Sequence, residues 1–429
     1  MKFELLHPAD QLVMIMERIY KSGFTTTSGG NLSIIDDEGD IWITPSGVDK
    51  GALTRGDICR VKPDGTVIGH HNPSVELPFH ASIYKKRPDL RAVLHAHPPH
   101  LVAFSIARKL PNMNLVANAR RTCGLLSMAA YAVPGSSVLG DNIAAEFENG
   151  IDIVVMENHG VCIGADTLFN AFMKFETLET TAALEILTRK LGTPIAMKED
   201  DFSLTNTREH LIMDDFVLNK HSPEECAARR DMVTLIRRSY QQKLFVSTQG
   251  TYSVRLSEDS FLITPYGVDR AYMDESDLVL IKNGMKEQGK TPSRSVKLHE
   301  LIYKLHPEIN SILGANPINA MAFAVTDAPF DSRTIPESYI NLRQIQKVPF
   351  KAVYTDHDVV ANMFSEKIHV LVCENASILV TGNSLLHAFD RLEVTEATAQ
   401  SILASHDLGE LVHISDSEVE EINKTFNLA

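Results

Sequence analysis

Two histidines separated by a single residue lie at the end of an apolar run of the sequence. Residues 92–96 read as a strand that carries His95 and continues into His97 and Pro98. Alternate side chains of a strand point to the same face, so both imidazoles could bind one divalent ion. Exposed histidines, or histidines hydrogen-bonded in a core, would give the same pattern. The pair therefore suggests a metal site but needs further ligands to support it.

A third histidine and a carboxylate could complete such a site. His159 lies in a tight turn that Gly160 closes, from which its ring could project toward a neighbouring strand end. Three histidines leave a fourth position open, as a catalytic zinc requires. Glu76 comes just before a predicted helix, where it could cap the helix or bind the metal and act as a base. His80, one turn later, is expected to be structural, with a place behind the metal ligands or on the helix surface also open.

Short polar side chains and glycines form a further group. The segments 28–31 and 44–47, together with Ser74, offer hydroxyls, an amide and glycine N–H groups. These groups can surround a phosphate without any cationic side chain. Ordinary turn chemistry explains each segment equally well.

The sequence contains two copies of one plan. Residues 43–49 read ITPSGVD and residues 263–269 read ITPYGVD, an offset that also aligns tyrosines, glycines and serines upstream. A period this long indicates a duplicated domain rather than an array of short repeats. The predicted domains are residues 1–195 and 222–429, joined by a connector at 196–221. The second domain begins at Ser222, which can cap a helix that has proline at its first position.

The second copy lacks every candidate ligand of the first. In place of Glu76, His95, His97 and His159 it has, in order, Ser295, Gly314, Asn316 and Ala376. The polar loops change as well, since Thr251 replaces Asn31 and Tyr266 replaces Ser46. Because the four ligands disappear together while the apolar frame is kept, they behave as one functional unit. The second copy is predicted to be catalytically silent and to serve packing and assembly.

Alternating helical and strand patterns predict an α/β domain for the first copy. Helices are expected at 11–22 and 78–86 and from an Asp166 cap toward Lys190. Strands are expected around Ile34 and at 41–44, 58–62, 92–96, 151–156 and 161–163. The order of the strands cannot be deduced from this pattern.

Composition excludes several classes of protein. The 429 residues include 41 Lys and Arg against 55 Asp and Glu, a net charge of −14 that disfavours a nucleic-acid partner. The mean hydropathy of −0.07 and the charged residues of the N-terminal segment argue against a membrane partner, a membrane span or a signal peptide. Five scattered cysteines without a C-x-x-C pair predict buried thiols, and the chain is expected in the cytoplasm.

The ordered series SGGNLS, ITPSGVD, NPSVELPFH, HAHP and ENHG resembles the class II aldolase/adducin family. That family is typified by fuculose-1-phosphate and rhamnulose-1-phosphate aldolases. The resemblance covers residues 8–190, and residues 223–405 resemble a degenerate second copy. It implies two related three-layer α/β/α domains, each with a largely antiparallel central sheet. It also implies bound Zn²⁺, with Mn²⁺ or Co²⁺ as alternative ions.

The resemblance assigns roles to particular residues. His95, His97 and His159 would bind the metal, and Glu76 would be the acid/base that also reaches it. Six residues of the polar loops would bind the substrate phosphate: Ser28, Gly30, Asn31, Ser46, Gly47 and Ser74.

The sequence departs from the family pattern at two places. Val75 replaces a second phosphate-binding serine, and the tyrosine expected near 115–118 as proton donor is absent. Arg120 and Arg121 lie close by and are candidate contacts for a carboxylate or a second phosphate, or else simply solvated.

The activity implied by the resemblance is that of a class II metal-dependent aldolase, a carbon–carbon lyase. Its substrate would be a phosphorylated ketose, cleaved to dihydroxyacetone phosphate and an aldehyde. One alternative is a related sugar-phosphate dehydratase or decarboxylase, and another is a non-catalytic assembly module similar to the adducin head. Glutamate at position 76 weighs against the epimerases of the family, which commonly have aspartate there.

Oligomeric assembly is also implied, because family aldolases are typically tetramers with active sites between subunits. A homo-oligomer is expected, either a tetramer or a dimer that forms a ring of four domains. In such a ring a tyrosine of the second copy could replace the missing proton donor. The candidates are Tyr266, Tyr272, Tyr303 and Tyr339.

Overall fold

The computed structural model describes residues 3–205 and 212–428. The chain divides into two compact units. Unit 1 consists of Met1–Met113 and Asn118–Ala183, and unit 2 of Asn114–Ala117 and Leu184–Ala429. The sequence-based limits of the domains and connector stay predictions, and Asn206, which was assigned to that connector, lies outside the described residues.

The first part of the chain alternates between strands and helices. Its strands are β1 (Asn31–Ile35), β2 (Ile41–Ile43), β3 (Cys59–Val61), β4 (Val67–Ile68), β5 (Ala92–Ala96), β6 (Leu126–Ala129), β7 (Ile153–Met156) and β8 (Val161–Ala165). Its α-helices are α1 (Pro8–Lys21), α2 (Leu77–Lys86), α3 (Pro99–Ile106), α4 (Ala117–Cys123), α5 (Ser137–Glu148) and α6 (Leu168–Thr188).

One mixed sheet organises unit 1. Its strand order is β4-β3-β2-β1-β5-β8-β7-β6, and every neighbouring pair is antiparallel except β6 with β7. Helices α2 and α5 pack against it through a buried apolar cluster that includes Phe79, Ile143 and Phe147. Burying such side chains contributes roughly 1.5–3 kcal/mol each.

The second part of the chain builds a related sheet. Its strands are β9 (Asp215–Phe216), β10 (Thr251–Ser257), β11 (Ser260–Ile263), β12 (Val279–Lys282), β13 (Met285–Glu287), β14 (Ser311–Ala315), β15 (Ile345–Val348), β16 (Val370–Cys373) and β17 (Ser377–Gly382). Its helices are α7 (Glu199–Leu204), α8 (Pro223–Gln241), α9 (Val296–Leu305), α10 (Ile318–Ala324), α11 (Pro336–Leu342), α12 (Phe350–Thr355), α13 (His357–Asn362), α14 (Leu385–Ser405) and α15 (Asp416–Thr425).

The sheet of unit 2 repeats the plan of unit 1. Its order is β15-β16-β17-β14-β10-β11-β12-β13-β9, which matches the first sheet strand for strand and adds β9 at one edge. The pairs β15–β16 and β13–β9 are parallel and the others antiparallel. The predicted fold class, two α/β regions with largely antiparallel sheets, is confirmed.

The ends of three helices test the sequence-based predictions. Ser222 caps α8 as predicted, since its Oγ accepts the N–H of Glu225 at 3.1 Å. Helix α1 begins at Pro8, three residues earlier than predicted, with the His7 ring accepting the N–H of Ala9. The prediction of Asp166 as the cap of α6 is wrong. Thr167 Oγ1 accepts the N–H of Asn170, whereas Asp166 binds the side chain of Asn170.

Strand β5 lies at the centre of the first sheet and positions the candidate ligands. It pairs with β1, where Asn31 is opposite His95, and with β8, where Cys162 is opposite His95. All five residues of β5 are buried.

Among the described residues, no helix is both long and apolar enough to cross a membrane.

Candidate metal centre

His95 and His97 point their rings to the same place from the end of β5, as the i and i+2 spacing predicts. Their Nε2 atoms are 3.0 Å apart. His95 is fully buried, and its Nδ1–H donates to the carbonyl of Val161 on β8 at 2.9 Å. That bond fixes the tautomer and leaves the Nε2 lone pair free for a metal ion.

His159 joins the pair from the turn between β7 and β8. Its ring centroid is 4.9 Å from that of His95 and 5.0 Å from that of His97. Asn158 takes a positive φ of 53°, and Ser105 Oγ accepts the backbone N–H of His159 at 3.0 Å. The Nδ1 atom of His159 is buried and has no hydrogen-bond partner among the described residues.

Gly160 allows the turn to approach β5 closely. A Cβ atom at this position would lie 2.5 Å from the carbonyl oxygen of Ala96 and 2.7 Å from Cδ2 of His97. Both distances are far below van der Waals contact, so a side chain would displace either the strand or the His97 ring. A glycine is therefore required for His97 and His159 to face each other.

The three rings fit a divalent metal ion. One nitrogen from each lies within 4.8 Å of the others. Tetrahedral zinc needs ligand nitrogens about 3.3 Å apart, since each Zn–N bond is about 2.0–2.1 Å. Small ring movements would bring the three nitrogens to that spacing.

Burial keeps the three imidazoles neutral, which metal binding requires. It lowers the pKa of His95 to about 3 and that of His97 to about 3, with the neighbouring imidazoles adding to the effect. Burial also lowers the pKa of His159, an effect that the Glu76 carboxylate partly opposes. Each neutral ring therefore has one nitrogen lone pair available to a metal ion.

The Glu76 carboxylate faces the same three rings. Its Oε2 is 3.3 Å from Nε2 of His95, and its Oε1 is 3.7 Å from Nε2 of His159. The residue is only 7% exposed and stands just before α2, where its side chain makes no capping hydrogen bond. The helix-cap alternative for Glu76 is therefore wrong, and its carboxylate belongs to the histidine cluster.

A buried chain of hydrogen bonds lies behind Glu76. The amide of Asn31 bonds to Oε2 of Glu76 at 2.6 Å and to Nε2 of His80 at 2.5 Å. Ser33 Oγ in turn lies 2.7 Å from Nδ1 of His80 and 2.7 Å from the hydroxyl of Tyr84. His80 is completely buried, so the surface alternative considered for it is wrong.

Three loops carry the predicted phosphate ligands. The N–H of Ser46 donates to Asn72 at 3.0 Å and the N–H of Ser74 to Thr44 at 3.2 Å, which joins the second and third loops. Ser28 and Gly47 are exposed, and Gly30 and Gly47 have φ of 70° and 69°. Ser74 is buried, and its Oγ accepts the N–H of Glu76 at 3.3 Å.

Gly30 has a steric role in addition to its backbone conformation. A Cβ atom there would lie 2.7 Å from the carbonyl oxygen of His95. The loop that precedes β1 therefore lies directly against the backbone of β5 at His95. The sequence signal for this contact was the SGGN motif itself.

Lys50 was missed in the sequence analysis. It is 3% exposed, its Nζ donates to the carbonyl of Pro45, and its backbone N–H donates to Thr27 at 2.9 Å. It therefore ties the first loop to the second, and burial lowers its pKa. The signal that could have found it was the cation kept at the equivalent position of the second copy, Arg270.

The two predicted arginine contacts lie on α4. Arg120 and Arg121 are both half-buried. Their assignment to the substrate stays a prediction.

Residues 10–186, and again residues 230–403, match the family model described as Class II Aldolase and Adducin N-terminal domain. The chain belongs to this family. Both segments match, so the duplication read from the sequence is consistent with the family comparison.

Curated relatives within this class II aldolase family include aldolases and decarboxylases. A 5-deoxy-D-ribulose 1-phosphate aldolase of Bacillus thuringiensis is 33% identical over 45% of this chain and 90% of its own length. An L-fuculose phosphate aldolase of Methanocaldococcus jannaschii is 34% identical over 41% of this chain and 94% of its own length. A 3-oxo-tetronate 4-phosphate decarboxylase of Haemophilus influenzae is 29% identical over 40% of this chain and 84% of its own length.

The second class II aldolase segment has different chemistry at the equivalent positions. Thr251 Oγ1 lies 2.5 Å from Ser293 Oγ, and the amide of Asn316 donates to the carbonyl of Ala376 at 2.7 Å. Ala376 stands where the first segment has His159. The polar atoms here satisfy one another instead of converging on a metal position.

Unit 2 also covers the position equivalent to His159 with other parts of its own chain. The amide of Asn375 donates to the carbonyls of Leu115 at 2.9 Å and Ile195 at 2.7 Å. Ala376 packs against an apolar cluster that contains Ala117 and Met197.

The tyrosines considered as proton donors have different surroundings. Tyr303 is buried, and its hydroxyl bonds to Ser253 at 2.7 Å, so it has no access to a substrate outside unit 2. The Tyr339 hydroxyl donates to Asn423 at 3.1 Å. Tyr266 is exposed and Tyr272 half-buried.

Proposed function

We propose that this protein is a zinc-dependent class II aldolase that cleaves a phosphorylated ketose, giving dihydroxyacetone phosphate and an aldehyde. One observation carries the proposal: three imidazoles converge in unit 1 with one nitrogen of each within 4.8 Å of the others, and the Glu76 carboxylate lies 3.3 Å from His95 and 3.7 Å from His159. No second group of three ligands lies in the described residues. The catalytic role is therefore proposed for unit 1.

His95, His97 and His159 are the proposed metal ligands, in a set that leaves room for substrate oxygens. A divalent ion held there would supply Lewis acidity toward the substrate carbonyl and its neighbouring hydroxyl. Nitrogen-rich sites suit zinc, and Mn²⁺ or Co²⁺ are the alternatives. The Val161 carbonyl fixes the ring of His95, and the absence of a side chain at Gly160 leaves the ring of His97 the space it occupies.

Glu76 is the proposed proton carrier. In the cleavage direction its carboxyl group returns a proton to the carbon that loses its partner, and in condensation it removes that proton. A positioned acid/base contributes roughly 10²- to 10⁴-fold to the rate. Its burial beside the histidines keeps bulk water away from this proton.

The substrate phosphate is assigned to the three loops. The groups proposed to bind it are the hydroxyls of Ser28, Ser46 and Ser74, the side-chain amide of Asn31 and the backbone N–H groups of Gly30 and Gly47. The relatives support a phosphorylated substrate, because the three described above are named for reactions of phosphate compounds. Residues Arg120 and Arg121 remain candidate contacts for a further anionic group.

The substitution Glu76→Gln tests the proposed reaction. Zinc-loaded protein and the variant would be incubated with a panel of ketose 1-phosphates, and dihydroxyacetone phosphate would be measured. We expect the variant to retain metal and lose about two to four orders of magnitude in kcat. Full activity in the variant would contradict the role of Glu76, and a wild type that releases no dihydroxyacetone phosphate would contradict the aldolase.

Decarboxylation is the second candidate function. The Haemophilus influenzae relative favours it, since that protein is a 3-oxo-tetronate 4-phosphate decarboxylase at 29% identity. The same Lewis acid and proton carrier would serve a substrate whose carboxylate leaves as carbon dioxide. Release of carbon dioxide from a sugar-acid phosphate, without dihydroxyacetone phosphate, would establish it over the aldolase.

A homo-oligomer and a cytoplasmic location complete the proposal. Four of the five cysteines are buried and all five are unpaired, which suits a reducing compartment. The mass of the metal-loaded protein in solution, measured by light scattering, would distinguish a dimer from a tetramer.

A further inference from the structure

The hydrogen-bond chain behind Glu76 has a defined direction. A carboxylate accepts hydrogen bonds, so the Asn31 amide must turn its N–H group toward Oε2 of Glu76. Its carbonyl oxygen then faces Nε2 of His80, which must carry the proton in order to donate.

The same logic continues to the far end of the chain. A neutral imidazole that donates from Nε2 accepts at Nδ1, so the Ser33 hydroxyl donates to His80. Ser33 Oγ then accepts from the Tyr84 hydroxyl. Every donor therefore points from Tyr84 toward Glu76, and the chain has one arrangement of protons.

The second copy keeps the far end of this chain and loses the near end. Ser253 Oγ lies 2.7 Å from Nδ1 of His299 and 2.7 Å from the Tyr303 hydroxyl, which are the same distances as in the first copy. Thr251 replaces Asn31 and bonds to Ser293 instead. The Ser–His–Tyr group is thus part of the shared fold, whereas the link through Asn31 occurs where Glu76 is present.

We propose that His80 and Asn31 are positioning residues that orient Glu76 for proton transfer. Asn31 occupies Oε2 and so leaves the other carboxylate oxygen, Oε1, facing Nε2 of His159 at 3.7 Å. His80 holds the Asn31 amide in the only orientation that donates to Glu76. This inference rests on the proposed function of Glu76, and it commits one Asn31 N–H to the carboxylate rather than to phosphate.

The duplication provides a matched control for the test. The substitution His80→Asn shortens the side chain and removes the donor that reaches Asn31, whereas His80→Gln keeps an N–H near the position of Nε2. The control is His299→Asn, which changes the equivalent buried histidine in the copy that lacks the glutamate. Metal content, the unfolding midpoint, kcat and KM would be measured for all three variants.

We expect H80N to keep its metal and the KM for the phosphorylated substrate, and to lose roughly 10- to 100-fold in kcat, the usual effect of removing a partner of this kind. We expect H80Q to recover most of that loss and H299N to retain wild-type kcat. If H80N and H299N lose stability equally and H80N keeps wild-type kcat, His80 is merely structural and the proposal fails.

Milder variants serve where H80N does not fold. Ser33→Ala removes the donor to Nδ1 of His80 and frees the ring to change its tautomer, and Ser253→Ala is its control. We expect a several-fold loss of kcat in S33A and none in S253A. Equal kcat in the two variants would overturn the proposal.

A spectroscopic measurement tests the direction of the chain without activity. In metal-free protein labelled with ¹⁵N-histidine, long-range ¹H–¹⁵N spectra report which ring nitrogen carries the proton. We expect the resonance of His80, identified by its loss in H80Q, to show the Nε2–H tautomer. The Nδ1–H tautomer would overturn the proposal, whereas a wild type that shows the expected tautomer but cleaves no panel sugar would count only against the proposed function.

Discussion

The two halves of the chain share a fold and differ in the few residues that carry chemistry. The two sheets share one strand order apart from β9 at the edge of the second, and both halves contain a buried serine, histidine and tyrosine with equal hydrogen-bond lengths. Within residues 3–205 and 212–428, only the first half brings three imidazoles and a carboxylate together. The comparison separates a buried serine–histidine–tyrosine group that both halves keep from a histidine–carboxylate cluster that belongs to the first half.

The glycines of the two copies follow the same division. Gly30 and Gly250 both adopt positive φ, so this loop conformation belongs to the fold. Gly160 has no counterpart, because the second copy has Ser377 there. The close approach at Gly160 is needed only where His97 must face His159.

Giving the first copy the asparagine of the second should have the largest effect. In His97→Asn the ring that lies 3.0 Å from His95 Nε2 is replaced by a shorter amide. We expect the metal content to fall well below one ion per chain and the proposed activity to be lost. Elemental analysis after dialysis measures the metal.

The reciprocal substitution Asn316→His is the control for that experiment. It restores one imidazole in a copy that still has Gly314 and Ala376, so no second ion should bind. Two ions per chain in N316H, or a full ion in H97N, would contradict the assignment of the ligands.

Introducing Ser377 of the second copy at the first-copy turn should be nearly as damaging. In Gly160→Ser the new side chain would collide with Ala96 and His97. Such overpacking destabilises by about 1–3 kcal/mol, and displacement of the His97 ring should weaken metal binding as well. Chemical denaturation with and without zinc measures both effects, and Ser377→Gly is the control that should leave the metal content unchanged.

The two buried cations of the polar loops, Lys50 and Arg270, should contribute unequally to the free energy of unfolding. Arg270 donates to four carbonyls in unit 2, whereas Lys50 donates from Nζ to Pro45. Removing a donor leaves buried acceptors unsatisfied at about 1–3 kcal/mol for a group. We therefore expect Arg270→Met to lower the free energy of unfolding more than Lys50→Met does. Equal losses of unfolding free energy in urea titrations would contradict this prediction.

The smallest effect that we expect is a difference between wild type and H80Q in how the free energy of unfolding depends on pH. Burial lowers the pKa of His80 to about 3, below the ordinary value of 6.5, so the unfolded chain binds a proton that the folded chain excludes. The stabilisation is complete above pH 6.5 and is lost as pH falls toward 3, by up to about 1.4 kcal/mol per pH unit.

Metal-free wild type and H80Q provide the test of that dependence. Their free energies of unfolding would be compared between pH 7 and pH 5. The loss in the wild type should exceed that in H80Q by the contribution of one histidine. Parallel curves for the two proteins would contradict the low pKa.

Much of the fold could be predicted from the sequence because its signals are local. The strand at 92–96, the cap at Ser222 and the repeated ITPxGVD turn each depend on neighbouring residues, and the structure has the strand and the cap as predicted. The cap of α6 was misassigned because Asp166 and Thr167 are adjacent and both can cap, and the choice depends on backbone geometry.

The candidate site was only partly predictable, since its residues meet through distant strand pairing. The i and i+2 spacing pointed to His95 and His97, but the hydrogen-bond chain from Glu76 to Tyr84 depends on β1 lying beside β5. Lys50 was missed for the same reason. Its partner carbonyls belong to turns whose convergence no local pattern encodes.

The backbone segments bound by Asn375 have a practical consequence for anyone who wishes to build a second catalytic centre. In unit 2, Ala376 stands at the position of His159 and packs against the cluster that contains Met197, and the neighbouring Asn375 binds the carbonyls of residues 115 and 195. Introducing three histidines there would displace those segments and leave their hydrogen-bonding groups unsatisfied. Restoring the ligands alone would therefore not produce a metal site in the second copy, because these segments would also have to move.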